Sequence, residues 1–186
     1  MSSLPRAVLL AEGVSDRRAL EALAVRRGRD LTAEGVTVVA MGGAGNIGRF
    51  LDLYGPRGPD VALAGLYDAA EEGDVRRGLE RAGFGSVRSR RELERLGFHA
   101  CIEDLEDELI RALGAARVVD LVEERGELGP FRTLQKQPEL RGRPIEQQLR
   151  RFLGNSSRKI DYAPLLVEAL DPSNVPRPLD AVLAHV

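Results

Sequence analysis

The chain has 186 residues, 43% of them hydrophobic and 30% charged, which is enough for one buried core and unlike a disordered, fibrous or membrane-embedded protein. A net charge of -2 excludes a surface that attracts polyanions all over, so any nucleic-acid partner needs a focused site. The lone Cys101 excludes an intrachain disulfide and Cys-rich zinc modules, and no apolar run reaches spanning or signal-peptide length; the expected location is cytoplasmic, with no membrane partner.

In chain order, residues 7–11 (Ala-Val-Leu-Leu-Ala) are a short continuous apolar run, the pattern of a buried parallel strand. Residues 15–27 follow with Ala19, Leu20, Leu23 and Ala24 at helical spacing and Ser15 as the expected N-cap. A β-branched strand is predicted over 36–41, then a glycine-rich turn and a helix over 47–54 that ends before Pro56 and Pro59. A third strand over 61–66 closes on Tyr67-Asp68, a helix follows over 71–82, and a fourth strand over 98–102 leads into the acidic helix start at Asp104. Alternating strands and helices predict an α/β fold with a four-stranded parallel sheet flanked by helices. Beyond Gly114 only helical segments remain, at 115–124, 145–153 and 162–170. The expected organisation is an α/β domain over 1–114 with a helical C-terminal extension, 115–186, packed on it.

In such sheets ligands bind beyond the carboxyl ends of the strands, where loops and helix N-termini converge. Acids fall at those ends: Glu12 after the first strand, Asp68 after the third, Asp104 after the fourth. Asp16 stands four residues past Glu12 across a turn at Gly13, so both carboxylates can address one point. Crowded carboxylates repel one another unless a cation intervenes, and hard oxygen donors suit Mg2+ or Mn2+. Of the acids in the 104–108 run, Asp104 is the first choice of ligand and Glu106 the second; the plain alternative is that each acid only caps a helix or faces solvent.

The segments Leu9-Leu10-Ala11-Glu12-Gly13-Val14-Ser15-Asp16, Gly42-Gly43-Ala44-Gly45-Asn46-Ile47, Gly65-Leu66-Tyr67-Asp68 and Asp104-Leu105-Glu106-Asp107-Glu108-Leu109 together resemble the TOPRIM domain, and the last of them its OLD-family nuclease branch. The resemblance spans roughly residues 7–114. It implies a Rossmann-like, TOPRIM-type sheet with Glu12 as general base or ligand, and Asp16, Asp68, Asp104 and Glu106 around magnesium. The implied chemistry is nuclease or nucleotidyl-transfer action on the phosphodiesters of a nucleic acid, DNA before RNA. It also implies a lysine from the helical tail near the site, for which Lys159 is the candidate. The family's second acid, two residues after the position of Asp68, is replaced by Ala70, leaving Glu71 or Glu72 as substitutes.

Competing patterns receive smaller roles. Gly43-Ala44-Gly45-Asn46-Ile47-Gly48 has the spacing of a dinucleotide-binding turn, yet that reading leaves Glu12 and Asp16 without a task; Gly43 and Gly45 are instead expected to form a phosphate-contacting turn. A phosphate loop ending in Gly-Lys is absent, because neither lysine follows a glycine. OLD-type proteins carry an ATPase ahead of this domain, so the chain is expected to act alone or with a separate ATPase partner. A non-catalytic module that binds metal and nucleic acid for such a partner is the alternative function. His99 and His185 receive no role, and the basic clusters at 88–91 and 141–143 are expected as solvated loops.

Overall fold

In the computed structural model, which describes residues 4–186, all five side chains of β1 (Ala7–Ala11) are buried, as a strand covered on both faces requires. It pairs in parallel with β2 (Val36–Ala40) on one side and β3 (Ala62–Asp68) on the other, and β3 pairs in parallel with β4 (Phe98–Cys101). The resulting four-stranded sheet has the order β2-β1-β3-β4. Successive side chains of a strand point to opposite faces, so Ala7, Leu9 and Ala11 enter one core while Val8 and Leu10 enter another.

The second of these cores is formed with Ile47 and Leu51 of α2 (Ile47–Tyr54), Val75 and Leu79 of α3 (Glu72–Ala82), and Leu93 of α4 (Arg90–Arg95). Gly65 lets the Phe98 ring sit close against β3, since a Cβ there would stand 2.9 Å from that ring. The first core is larger. It joins α1 (Val14–Arg26) to α5 (Leu105–Leu113), α6 (Ala115–Glu124), α7 (Leu128–Gln135), α8 (Ile145–Leu153), α9 (Ser156–Ala169) and α10 (Arg177–Ala184). Leu20 and Leu23 of α1 and Leu166 and Val167 of α9 belong to that one cluster, so the tail helices complete the layer over β1. No helix among the described residues is long and apolar enough to cross a membrane.

Three helices were not expected from the sequence, for distinct reasons. Of α4 only Leu93 is buried, of α7 only Phe131, and α7 contains Gly129 and Pro130; neither offers an apolar stripe. The third, α10, is entered through Pro176 with Pro178 in its first turn, where proline's fixed φ suits a helix start. Helix α9 begins six residues before the expected 162, capped by the Asn155 side chain, which accepts from the Ser157 amide at 3.2 Å. Ser15 is not the N-cap of α1: Gly13 is, and Ser15 is buried in the first turn.

Candidate metal centre

The carboxyl ends of the strands lie level with one another, with Asp68 opposite Cys101 in the β3–β4 register and Ala11 opposite Ala40 in the β1–β2 register. Glu12 leaves β1 here, Asp68 ends β3, and Asp104 is the N-cap of α5 just past β4. A cavity of about 200 Å³ opens at this edge, lined by Glu12, Asp16, Asp68, Asp104, Glu106 and Lys159. The six side chains span positions 12 to 159 of the sequence; the sheet and the packing of α9 along α1 bring them to one place.

Each acid has its own environment. The Asp16 carboxylate takes the Gly13 amide at 2.7 Å, which fixes the turn, and burial pushes its pKa up to about 6, with the nearby Glu12 charge adding to the rise. Asp68 is pushed up to about 7, first by burial and then by Glu12, Asp16 and Asp104. Glu12 is raised by burial and next by Glu71. Burial also raises Glu106, against the pull of Lys159. Lys159 is drawn down by burial, but Glu106, Asp104 and Asp16 outweigh this and hold its ammonium above the ordinary lysine value.

Two of the acids are already occupied. Lys159 Nζ donates to Glu106 Oε2 at 3.0 Å. Asp104 uses both oxygens: Oδ1 accepts from the Asp107 amide at 2.8 Å as the helix cap, and Oδ2 from Arg150 Nε at 2.7 Å. The sequence ranking of Asp104 over Glu106 therefore meets a complication, because Asp104 has no spare oxygen and Glu106 has one. Arg150 carries no signal in the sequence, because its partner is 46 residues away and no local pattern announces the pair.

Among the described residues no three His, Cys, Asp or Glu side chains converge as a ready metal cage. The donors present nevertheless suit a hard cation. Glu12 Oε2 and Glu106 Oε1 are buried with no hydrogen-bond partner, and a buried anionic oxygen left unpaired is costly. A divalent ion between such oxygens would satisfy them and the raised carboxyls of Asp16 and Asp68 together. Where Ala70 leaves a gap, Glu72 is held by Arg76 and Arg90, whereas Glu71 forms no ion pair among the described residues and its charge reaches Glu12.

The glycine-rich turn divides. Gly43 lines the cavity with Gly42, but both amides donate to the Glu12 carbonyl at 3.0 Å and so anchor the backbone of the β1 exit. Gly45 does not line the cavity. Elsewhere, Cys101 is buried with its thiol pushed far up by burial, which makes it unreactive. His185 lies against Gly97, two residues before His99, and neither histidine lines the cavity of the acids.

Residues 5–64 match the family model described as Overcoming lysogenization defect protein-like, TOPRIM domain. The fold matches the C-terminal region of the Xanthomonas campestris pv. campestris OLD protein at 22% identity, covering 99% of this chain and 95% of that one, with a TM-score of 0.72. It also matches the C-terminal region of the Burkholderia pseudomallei OLD protein at 19% identity, over 98% of this chain and 97% of that one, with a TM-score of 0.68. None of the curated proteins matches the sequence.

Proposed function

We propose that the chain, whose residues 5–64 match the OLD-like TOPRIM family model and whose fold is that of OLD C-terminal regions, cleaves phosphodiesters of nucleic acid, DNA in the first instance, with Mg2+ or Mn2+ as cofactor. The observation that carries this reading is the cleft at the strand ends, where five acids and one lysine share a cavity and two buried carboxylate oxygens lack partners. Glu12, Asp16, Asp68 and Glu106 would hold the ion, with Asp104 joining once its Arg150 contact is exchanged. A bound divalent ion supplies Lewis acidity at a phosphoryl oxygen.

The protein's own groups account for the rest. Glu12 is also the candidate base: with one carboxylate oxygen on the ion, the other would take a proton from the attacking water. Lys159 stays charged across the physiological range, orients Glu106 through its 3.0 Å contact and offers its remaining N–H groups to a phosphate. The Glu12–Gly13 peptide is tied at both of its polar groups, its carbonyl by the Gly42 and Gly43 amides and its N–H by the Asp16 carboxylate, so the backbone that carries Glu12 is held.

The test is incubation of the pure protein with supercoiled plasmid and with labelled single-stranded DNA, in Mg2+, Mn2+ or chelator, beside Glu12→Gln. Nicking or strand cleavage that needs the metal and is lost in Glu12→Gln is the expected result; activity indifferent to both would overturn the assignment. A second reading, a binding module serving a separate ATPase, is favoured by Ala70 in place of an acid. It predicts metal and DNA binding without turnover.

A further inference from the structure

A second cavity, of about 660 Å³, adjoins the cleft and shares Asp104 and Lys159 with it. Its wall is built rather than loose: the buried Gln148 of α8 donates to the carbonyls of Leu140 and Arg143 at 3.0 Å each, and accepts from Gln135 at 2.7 Å. That lattice pins the 140–143 loop and with it Arg143 on the cavity rim. Arg150 and Arg151, next along α8, line the same space. The lining acids outnumber the basic residues five to four, so charge alone does not draw a polyanion in.

Arg150 stands where this balance can change. Its Nε holds Asp104 Oδ2 at 2.7 Å and its Nη1 reaches Glu103 Oε2 at 3.2 Å, while its side chain remains 38% exposed toward the groove. We propose that Arg150 and a divalent cation compete for Asp104, and that the guanidinium so released binds a phosphate of the nucleic-acid strand lying in the 660 Å³ groove. Metal loading would then remove one negative charge from the groove and free an arginine in the same event. An arginine fork suits a phosphate as well as it suits a carboxylate, so the exchange keeps its hydrogen bonds satisfied. Lys159, lining both cavities, marks the passage of the strand from groove to cleft. The proposal rests on the metal reading above and adds to it a substrate path and a coupling between ion and substrate.

The test uses the full chain, calorimetric titration with Mn2+, and anisotropy titration of a labelled single-stranded oligodeoxynucleotide on ice at several salt concentrations under manganese saturation. Arg150→Gln is expected to bind Mn2+ about 2- to 10-fold more tightly than the parent, the range that follows from losing a partly exposed ion pair. The same variant should bind the oligonucleotide more weakly, with a salt slope smaller by about 1. Arg151→Gln removes a charge from the same groove without touching Asp104 and should leave Mn2+ affinity within about 2-fold of the parent. Arg150→Lys, which keeps the charge and loses the fork, is expected to recover most of the salt slope.

Equal Mn2+ affinity in the Arg150→Gln and Arg151→Gln proteins, or an unchanged salt slope in Arg150→Gln, overturns the exchange while leaving the metal centre in place. No Mn2+ uptake by the parent overturns both. Helix α8 keeps its buried Leu149, Phe152 and Leu153 in every variant, so a folded protein is expected throughout. Should Arg150→Gln unfold, Arg150→Met, which likewise removes the charge and keeps the length of the side chain, decides by the same two readings: Mn2+ affinity equal to that of Arg151→Gln, or an unchanged salt slope, overturns the proposal.

Discussion

The two halves of the cleft are made differently. Glu12, Asp16 and Asp68 come from the sheet and the turn after β1, with no basic side chain hydrogen-bonded to any of them among the described residues. Asp104 and Glu106 come from the start of α5, and each is held by a cation from the helical tail, Arg150 or Lys159. The sheet side is therefore strained electrostatically, with carboxyls raised well above their ordinary values, while the tail side is neutralised within the protein. The contrast indicates where an external cation gains most: on the sheet side, where like charges meet without relief, with the tail side adjusting to it.

The largest expected effect breaks the sheet side. Asp68→Asn should lower metal-dependent cleavage by at least about 100-fold. In the same protein without metal, the amide removes a charge that burial opposes, so resistance to urea at pH 8 should rise, with the gain shrinking as pH falls and gone below about pH 4, where Asp68 is protonated in the folded and the unfolded chain alike. A cleavage loss without that stability signature would mean that Asp68 acts by shape rather than by charge.

The tail side should respond less. Glu106→Gln removes an anion that burial disfavours but leaves the Lys159 ammonium without its partner, so in metal-free protein at pH 8 any gain in resistance to urea should be smaller than that of Asp68→Asn. A gain as large as that of Asp68→Asn would mean that Glu106 belongs electrostatically with the sheet acids.

A pH series compares both sides in one protein. Asp16 and Asp68 have folded-state pKa values of about 6 and about 7, above their unfolded values near 3.8. Their contribution is thus fully present below about pH 4 and is lost as pH rises through 6 and 7. Thermal scans without metal should show these two groups favouring the fold less at each step from pH 5 to 8. Mn2+ should reverse the trend, giving a small rise in melting temperature at pH 5 and a larger one at pH 8, because ligation needs the deprotonated carboxylates. A metal-induced rise that is flat in pH would contradict the ligand set.

The smallest effect concerns the gap at Ala70. Glu71→Gln should weaken Mn2+ binding by no more than about 3-fold, as for one partly exposed charge, and Glu72→Gln less, since Arg76 and Arg90 already neutralise it. Ala70→Asp should strengthen uptake of a second ion in calorimetry.

How much of this was legible beforehand follows the range of the interactions. The strands carry their signal in consecutive residues, so the apolar run at 7–11 and the acids at its end could be read directly. Asp68 and Asp104 could be read as strand-end residues because parallel strands align their carboxyl ends. The state of those acids could not. Whether Asp104 or Glu106 keeps a free oxygen depends on Arg150 and Lys159, whose places are set by the packing of α8 and α9 against α1 and α5. Likewise, the glycine spacing at 43–48 suggested amides free for phosphate, but the Gly43 amide is committed to the Glu12 carbonyl, a pairing across the sheet edge that sequence spacing does not encode.

The central claim is that the sheet-side acids hold a divalent cation. The most direct measurement is anomalous diffraction from crystals soaked in Mn2+ at pH 8. The expected result is a manganese peak within about 2.2 Å of carboxylate oxygens from Glu12 and Asp68, with Asp16 or Glu106 completing the set. A peak elsewhere on the molecule, or none at Mn2+ concentrations that saturate calorimetric binding, would contradict the account.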